Sequence, residues 1–266
     1  MMPIYRMITT VRPARVALIL VFFSAFPVSP AFPSNFSINP TSLELAGSVR
    51  SGAFSVVNSG SEKLNCQVDV KEWSQDADGK DVYTDTKDVI FFPKIMTVEP
   101  NEQRAIRVGI KIPAGLKEKA YRLFVEEIPS QQTPAREKKN GAIRAGLTIA
   151  FRYAMPIFVK PARQQETANM EKVDMANGVA TVVVGNTGNV HVKLLSVAFT
   201  GKAADGTVLF SQDIAGWYIL QGLSRSYETT VPKQVCGDLA TIDVRAQAEN
   251  LAIDGTLHVQ RNMCAH

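Results

Sequence analysis

The feature that most constrains this chain is a rhythm of short runs in which apolar and polar residues alternate, or β-branched residues cluster, broken by Gly, Asn, Pro and Asp. Alternation places successive side chains on opposite faces of a strand. An amphipathic helix would need apolar residues three and four apart, and that spacing is nearly absent. In the first half, strands are expected at Ser42–Leu45, Ala53–Asn58, Cys66–Trp73, Val89–Phe92, Arg104–Lys111, Ala120–Ile128 and Ala142–Val159. Turn signals separate them at Asn58-Ser-Gly60, Asp76-Ala-Asp-Gly79, Pro100-Asn101 and Pro113-Ala-Gly115. The second half repeats the style at Val179–Val184, Val190–Phe199, Thr207–Phe210, Tyr218–Leu220, Ser226–Val231, Thr241–Gln247 and Thr256–Gln260. About seven short strands per half point to β-sandwiches rather than to a parallel sheet covered by helices. The polar stretch Lys160-Pro-Ala-Arg-Gln-Gln-Glu166 has no strand pattern and is the expected boundary. The fold class is therefore all-β, with one domain over 32–160 and a second over 161–266.

The first 31 residues set the compartment. Arg6, Arg12 and Arg15 precede an apolar run from Val16 to Phe26, and Ser29-Pro30-Ala31 offers a small-residue cleavage site. That is the layout of a secretory signal peptide. The run is short for a membrane span; the alternative is an uncleaved anchor, and no later stretch is apolar enough to cross a bilayer. The formal net charge of +4 includes those three arginines, so the exported remainder is nearly neutral. Nothing in that balance suggests nucleic acid as a partner. Export exposes the three cysteines to an oxidising compartment. Cys236 and Cys264, both near the C-terminus, are the expected disulfide, with two free thiols as the alternative. Cys66 lies in the alternating run Cys66-Gln-Val68-Asp-Val70 and reads as a small buried hydrophobe.

Catalytic chemistry has no foothold. His191, His258 and His266 have no second His or Cys at metal-ligand spacing. There is no Gly-x-Ser-x-Gly elbow, and Gly185-Asn-Thr-Gly188 is a turn rather than a phosphate cradle. Glu126 and Glu127 alternate faces along a strand, without a positioned partner. The expectation is a protein that is not an enzyme and uses neither metal nor cofactor.

The segment Ala142–Val159 is long for a strand. One parity carries Ile143, Ala145, Leu147, Ile149, Phe151 and Tyr153; the other carries Gly146, Thr148, Ala150, Arg152 and Ala154. One face is thus large and apolar, the other small or polar. By pattern alone this is an ordinary half-buried strand with Leu147, Ile149 and Phe151 in its own core. The polar loop before it, Pro129 to Gly141, is long for a hairpin connection, and composition alone leaves open whether it works or is inert.

In their order and spacing, several motifs resemble the periplasmic pilus-assembly chaperones of the chaperone–usher pathway, the PapD-like family. They are Asn58-Ser-Gly60, Trp73-Ser-Gln75, the run Val98 to Arg104, the run Glu118 to Pro129, and the long strand ending Pro156-Ile-Phe-Val-Lys-Pro161. Gly185-Asn-Thr-Gly188, Tyr218 to Gly222 and Arg225 continue the likeness through the second half. The resemblance implies two immunoglobulin-like sandwiches in an L-shaped arrangement. It also implies a long strand lent to pilus or fimbrial subunits, which lack their own last strand, and delivery of those subunits to an outer-membrane usher. Strand addition of this kind takes affinity from main-chain hydrogen bonds and specificity from alternate side chains. Leu147, Ile149 and Phe151 match the donor positions, and Ile143 shares their parity. Glu118 and Lys160, with Asp243 from the second domain, match interdomain ion-pair positions. The chain departs from the pattern where the family anchors the subunit's terminal carboxylate: the positions of its Arg and Lys hold Ser42 and Pro156, and its Asn in the penultimate strand is Phe124. A divergent branch is implied, with Arg122 and Arg152 as candidate substitutes. The competing reading is an exported structural or adhesive subunit of a surface fibre, although the short, Pro-containing start Phe32 to Pro40 is poorly suited to act as a donor extension.

Overall fold

Each half of the chain wraps two antiparallel sheets around its own apolar core. The computed structural model describes residues 36–76, 78–129 and 150–264. The first sandwich contains β1 (Phe36–Asn39), β2 (Leu43–Leu45), β3 (Ser51–Asn58), β4 (Leu64–Gln75) and β5 (Asp81–Asp85). It continues with β6 (Val89–Phe92), β7 (Ile95–Val98), β8 (Gln103–Ile110), β9 (Lys119–Glu127) and β10 (Arg152–Val159). One sheet runs β1-β3-β8-β6. The other runs β2-β10-β9-β4-β5, with β7 against the opening residues of β4. All pairings are antiparallel except β2 with β10, which is parallel.

The alternation works as the sequence implies. Phe54 and Val56 of β3, Val68 and Val70 of β4, and Ile106 and Val108 of β8 point inward and meet Leu123, Val125 and Ile157. β9 is different: Ala120 through Val125 are all buried. One face of β9 lines the first core while the other is covered from outside, so its sequence reads as a continuous run. Tyr121 donates its hydroxyl to Asp88 Oδ2 at 2.8 Å, and Lys119 reaches the same oxygen at 2.9 Å.

The second sandwich has a three-stranded sheet of β11 (Ala168–Ala176), β12 (Val179–Asn186) and β16 (Ser224–Thr230). Facing it are β13 (Val192–Lys202), β14 (Val208–Ala215), β15 (Tyr218–Ile219), β17 (Thr241–Ala248) and β18 (Ala252–His258), in the order β14-β13-β17-β18 with β15 also on β13. Its core includes Val182, Val184, Phe199, Ile219, Ile242 and Val244. A disulfide links Cys236, at the end of the short helix α1 (Lys233–Cys236), to Cys264 in a 3₁₀ turn at Arg261–Cys264. Cys66 is free and buried; burial first, and Glu127 second, push its thiol up to about 12.

Every strand expected from sequence recurs within a few residues, the last of the first half in its described part. Four more are present: β1, β5, β7 and β11. Each borders only one neighbouring strand, so fewer of its positions need be apolar. β11 buries only Met175 and carries an irregularity between Met170 and Lys172.

Candidate functional site

β10 divides its side chains cleanly. Met155, Ile157 and Val159 are buried in the first core, and Tyr153 packs against it. Arg152, Ala154, Pro156 and Phe158 face the other way. β9 flanks β10 throughout, whereas β2 covers the second edge only at Ile157–Val159; no other described strand lies along that edge. Phe151 is half-buried against the first sandwich's own core, and its carbonyl accepts from the Glu127 N–H at 2.9 Å. Ile143, Leu147 and Ile149 lie outside the described residues.

The outer face of β10-β9-β4-β5 separates the two candidate cations. Arg152 sits in the open: its Nε is 3.7 Å from Glu126 Oε2, and its guanidinium lies 4.1 Å from the Phe124 ring centroid. An exposed pair of that kind contributes little. Arg122, directly opposite Pro156 on the neighbouring strand, is only 4% exposed. Its Cζ lies 3.7 Å from the Trp73 ring centroid and 5.6 Å from those of Trp217 and Tyr218. Nη1 donates to the Ala154 carbonyl at 3.1 Å, but Nε and Nη2 are buried with no acceptor among the described residues, as is Trp73 Nε1. Burial pulls the guanidinium below its ordinary value, partly offset by Tyr83, Asp81 and Tyr218. Arg122 remains a cation, and leaving buried donors unmade is costly.

The acid whose charge acts on Arg122 serves other donors. Asp81 accepts from Gln75 Nε2 at 3.2 Å, from the Tyr83 hydroxyl at 3.2 Å, and from Trp217 Nε1 at 3.3 Å. Gln75 in turn clamps the second sandwich. Its Nε2 donates to the Tyr218 carbonyl at 2.9 Å, and its Oε1 accepts from the Leu220 N–H at 3.0 Å. Trp73, Ala120, Phe158 and Leu220 pack together at this junction, and Arg225 Nη1 donates to the Gly79 carbonyl.

Glu118, Lys160 and Asp243 are not brought together. The Glu118 carboxylate, 2% exposed, receives both the backbone N–H and ring Nδ1 of His191, at 3.0 and 2.8 Å. The His191 ring stacks on Phe158 at 3.7 Å. Lys160 pairs with Glu44 on β2 at 2.8 Å, the strand beside its own. Asp243 belongs to the sheet of the second sandwich, where Lys202 and Thr256 hold it at 2.7 Å each. Sequence reasoning missed His191, Gln75, Asp81 and Trp217 as junction residues. The one available signal was polar or aromatic residues at the ends of strand patterns.

Among the described residues, no three His, Cys, Asp or Glu side chains converge as metal ligands. Residues 35–165 match the family described as pili and flagellar-assembly chaperone, PapD N-terminal domain. No curated protein matches the sequence. Several solved structures share the fold. One is the CsuC–CsuE chaperone–tip adhesion subunit pre-assembly complex of Acinetobacter baumannii, at 18% identity over 82% of this chain and 97% of that one, with a TM-score of 0.56. The YadV chaperone matches at 16% identity over 85% and 100%, with a TM-score of 0.56. The SafB chaperone with SafA pilin of Salmonella enterica matches at 16% over 84% and 96%, with a TM-score of 0.52. At such identities the likeness speaks for the fold.

Proposed function

The chain belongs to the PapD-like family of pilus-assembly chaperones, and from that premise we propose that it holds pilus subunits in the periplasm by strand donation and passes them to an outer-membrane usher. Residues 1–31 serve as the export signal. Domain 32–160 carries the donor strand, and domain 161–266 packs against it at the Gln75 junction. Ile143, Leu147 and Ile149 fill pockets of the subunit, with Phe151 contributing the half of its ring that its own core leaves uncovered. Each apolar side chain so buried contributes about 1.5–3 kcal/mol before ordering costs.

The observation that carries the reading is Arg122: a buried guanidinium with two donor nitrogens that lack acceptors among the described residues, on the sheet face beside β10. With Ser42 and Pro156 unable to hold a carboxylate by charge, Arg122 is the group suited to the subunit's terminal carboxylate. A charged acceptor there would satisfy both donors, and such bonds contribute about 1.5–3 kcal/mol each. Arg152, already beside Glu126, is the weaker choice. Co-expression of the chain with pilus subunits encoded beside it, followed by co-purification and proteolysis, tests both parts. Arg122→Met should weaken subunit retention at least tenfold, and Leu147→Arg with Ile149→Arg should abolish it. If both variants protect subunits as well as the parent chain does, the function assigned here is wrong.

A further inference from the structure

The reading of Arg122 as a carboxylate anchor raises a question of access. The guanidinium is 4% exposed, so an incoming carboxylate cannot touch Nε or Nη2 without some group moving. Trp73 (2% exposed) is part of the junction packing and is poorly placed to move. Trp217 differs on three counts. It is 41% exposed. It lies between β14 and β15 of the second sandwich, outside either strand. Its indole N–H holds the first sandwich only through the Asp81 carboxylate, at the long distances of 3.4 and 3.3 Å. Asp81 is held in place independently by Gln75 and Tyr83. The tether thus has a fixed end on β5 and a loose end on a connecting segment.

We propose that Trp217, tethered across the sandwich junction to Asp81, is a movable cover over the Arg122 guanidinium, and that a carboxylate reaches Arg122 only when this cover swings out. The inference rests on Arg122 being the anchor. The covered state shelters the cation against aromatic faces, a favourable setting for a desolvated guanidinium. Opening breaks one weakly made hydrogen bond and removes one ring face, while a carboxylate arriving at Arg122 supplies the acceptors that Nε and Nη2 lack. The cover would therefore keep the anchor closed to small anions, which gain little elsewhere. It would yield to a subunit that is simultaneously paired along β10.

Phenylglyoxal, which modifies accessible guanidinium groups, reads the cover without any subunit. Arg122 modification is followed by peptide mass mapping, with exposed Arg152 as the internal reference. In the parent chain Arg122 should react far more slowly than Arg152. Trp217→Ala removes the covering ring outright and should raise the Arg122 rate about tenfold or more, the change expected when a group goes from mostly covered to freely accessible, while Arg152 stays unchanged. Trp217→Phe keeps a ring but loses the tether and should give a smaller rise, as should Asp81→Asn. An unchanged Arg122 rate in Trp217→Ala at the parent's urea midpoint overturns the proposal; if that variant does not fold, an unchanged rate in Trp217→Phe does so. Loss of subunit retention in Arg122→Met reports on the anchor separately, so the two failures are distinguishable.

Discussion

Truncating Gln75 to Ala should loosen the junction between the sandwiches more than any surface change of similar size. Gln75 is 7% exposed, and its amide makes two hydrogen bonds to the backbone of the second sandwich, at Tyr218 and Leu220. Leu220 is itself 5% exposed, so its N–H would be left in a dry site without an acceptor. A buried backbone group deprived of its partner costs about 1–3 kcal/mol, which for two groups amounts to about 2–6 kcal/mol. The bond to Asp81 lies nearer solvent and adds little. Divided by a urea m value of about 2 kcal/mol/M, the shift in midpoint is about 1–3 M. The chain's two tryptophans, Trp73 and Trp217, lie on opposite sides of this junction. Fluorescence therefore reports the junction while far-ultraviolet circular dichroism reports the sheets. In Gln75→Ala the fluorescence transition should move to lower urea and precede the dichroism transition, since coincidence of probes is what a single cooperative unit requires. A shift below about 0.3 M with coincident transitions would refute the idea that this amide couples the two sandwiches.

Other expectations follow from single features. Replacing Cys236 and Cys264 by Ser opens a loop with a sequence separation of 28 and should destabilise the chain by about 3–4 kcal/mol in urea unfolding. Cys66 should not react with a thiol reagent at pH 8 in the native chain, and should react once urea unfolds it, because burial holds its thiol at about 12. Hydrogen bonds from Lys119 and then Tyr121 hold the Asp88 carboxyl below the usual range. Its contribution to stability is therefore complete above the unfolded carboxylate value of about 3.9 and is lost as pH falls through the lower folded value. Asp88→Asn should accordingly be less stable than the parent at pH 7, with the two curves converging in acid; a constant gap down to pH 2 would contradict this.

How much was legible beforehand differs by element. Runs such as Val179 to Val184 and Arg104 to Lys111 announce themselves because one face must be apolar to pack and the other must not. β5, with Asp81-Val-Tyr-Thr-Asp85 and no buried residue, gives no such signal: its role is to hold Asp81 and Tyr83 beside a face built by other strands. Arg122 shows the same limit. In sequence it is one charged residue in an otherwise buried run, equally readable as a solvated strand cation. Its burial arises because Trp73 from β4 and Trp217 and Tyr218 from nearly a hundred residues downstream surround it. The ion pairs went astray for a similar reason. Glu118 lay where an interdomain acid was expected, but the ring stacked on Phe158, which determines its partner, belongs to His191.

The sequence by itself determined the class of fold, the location of most strands, the expectation of a Cys236–Cys264 pair and the likeness to pilus-assembly chaperones. These follow from periodicity, turn chemistry and cysteine placement, which act over a few residues or through counting. The tertiary structure alone decided which cation is buried, which acid meets which base and what lies over Arg122. Those outcomes depend on residues distant in the chain meeting in a low-dielectric junction, where burial fixes whether a charge is solvated, paired or left waiting for a partner.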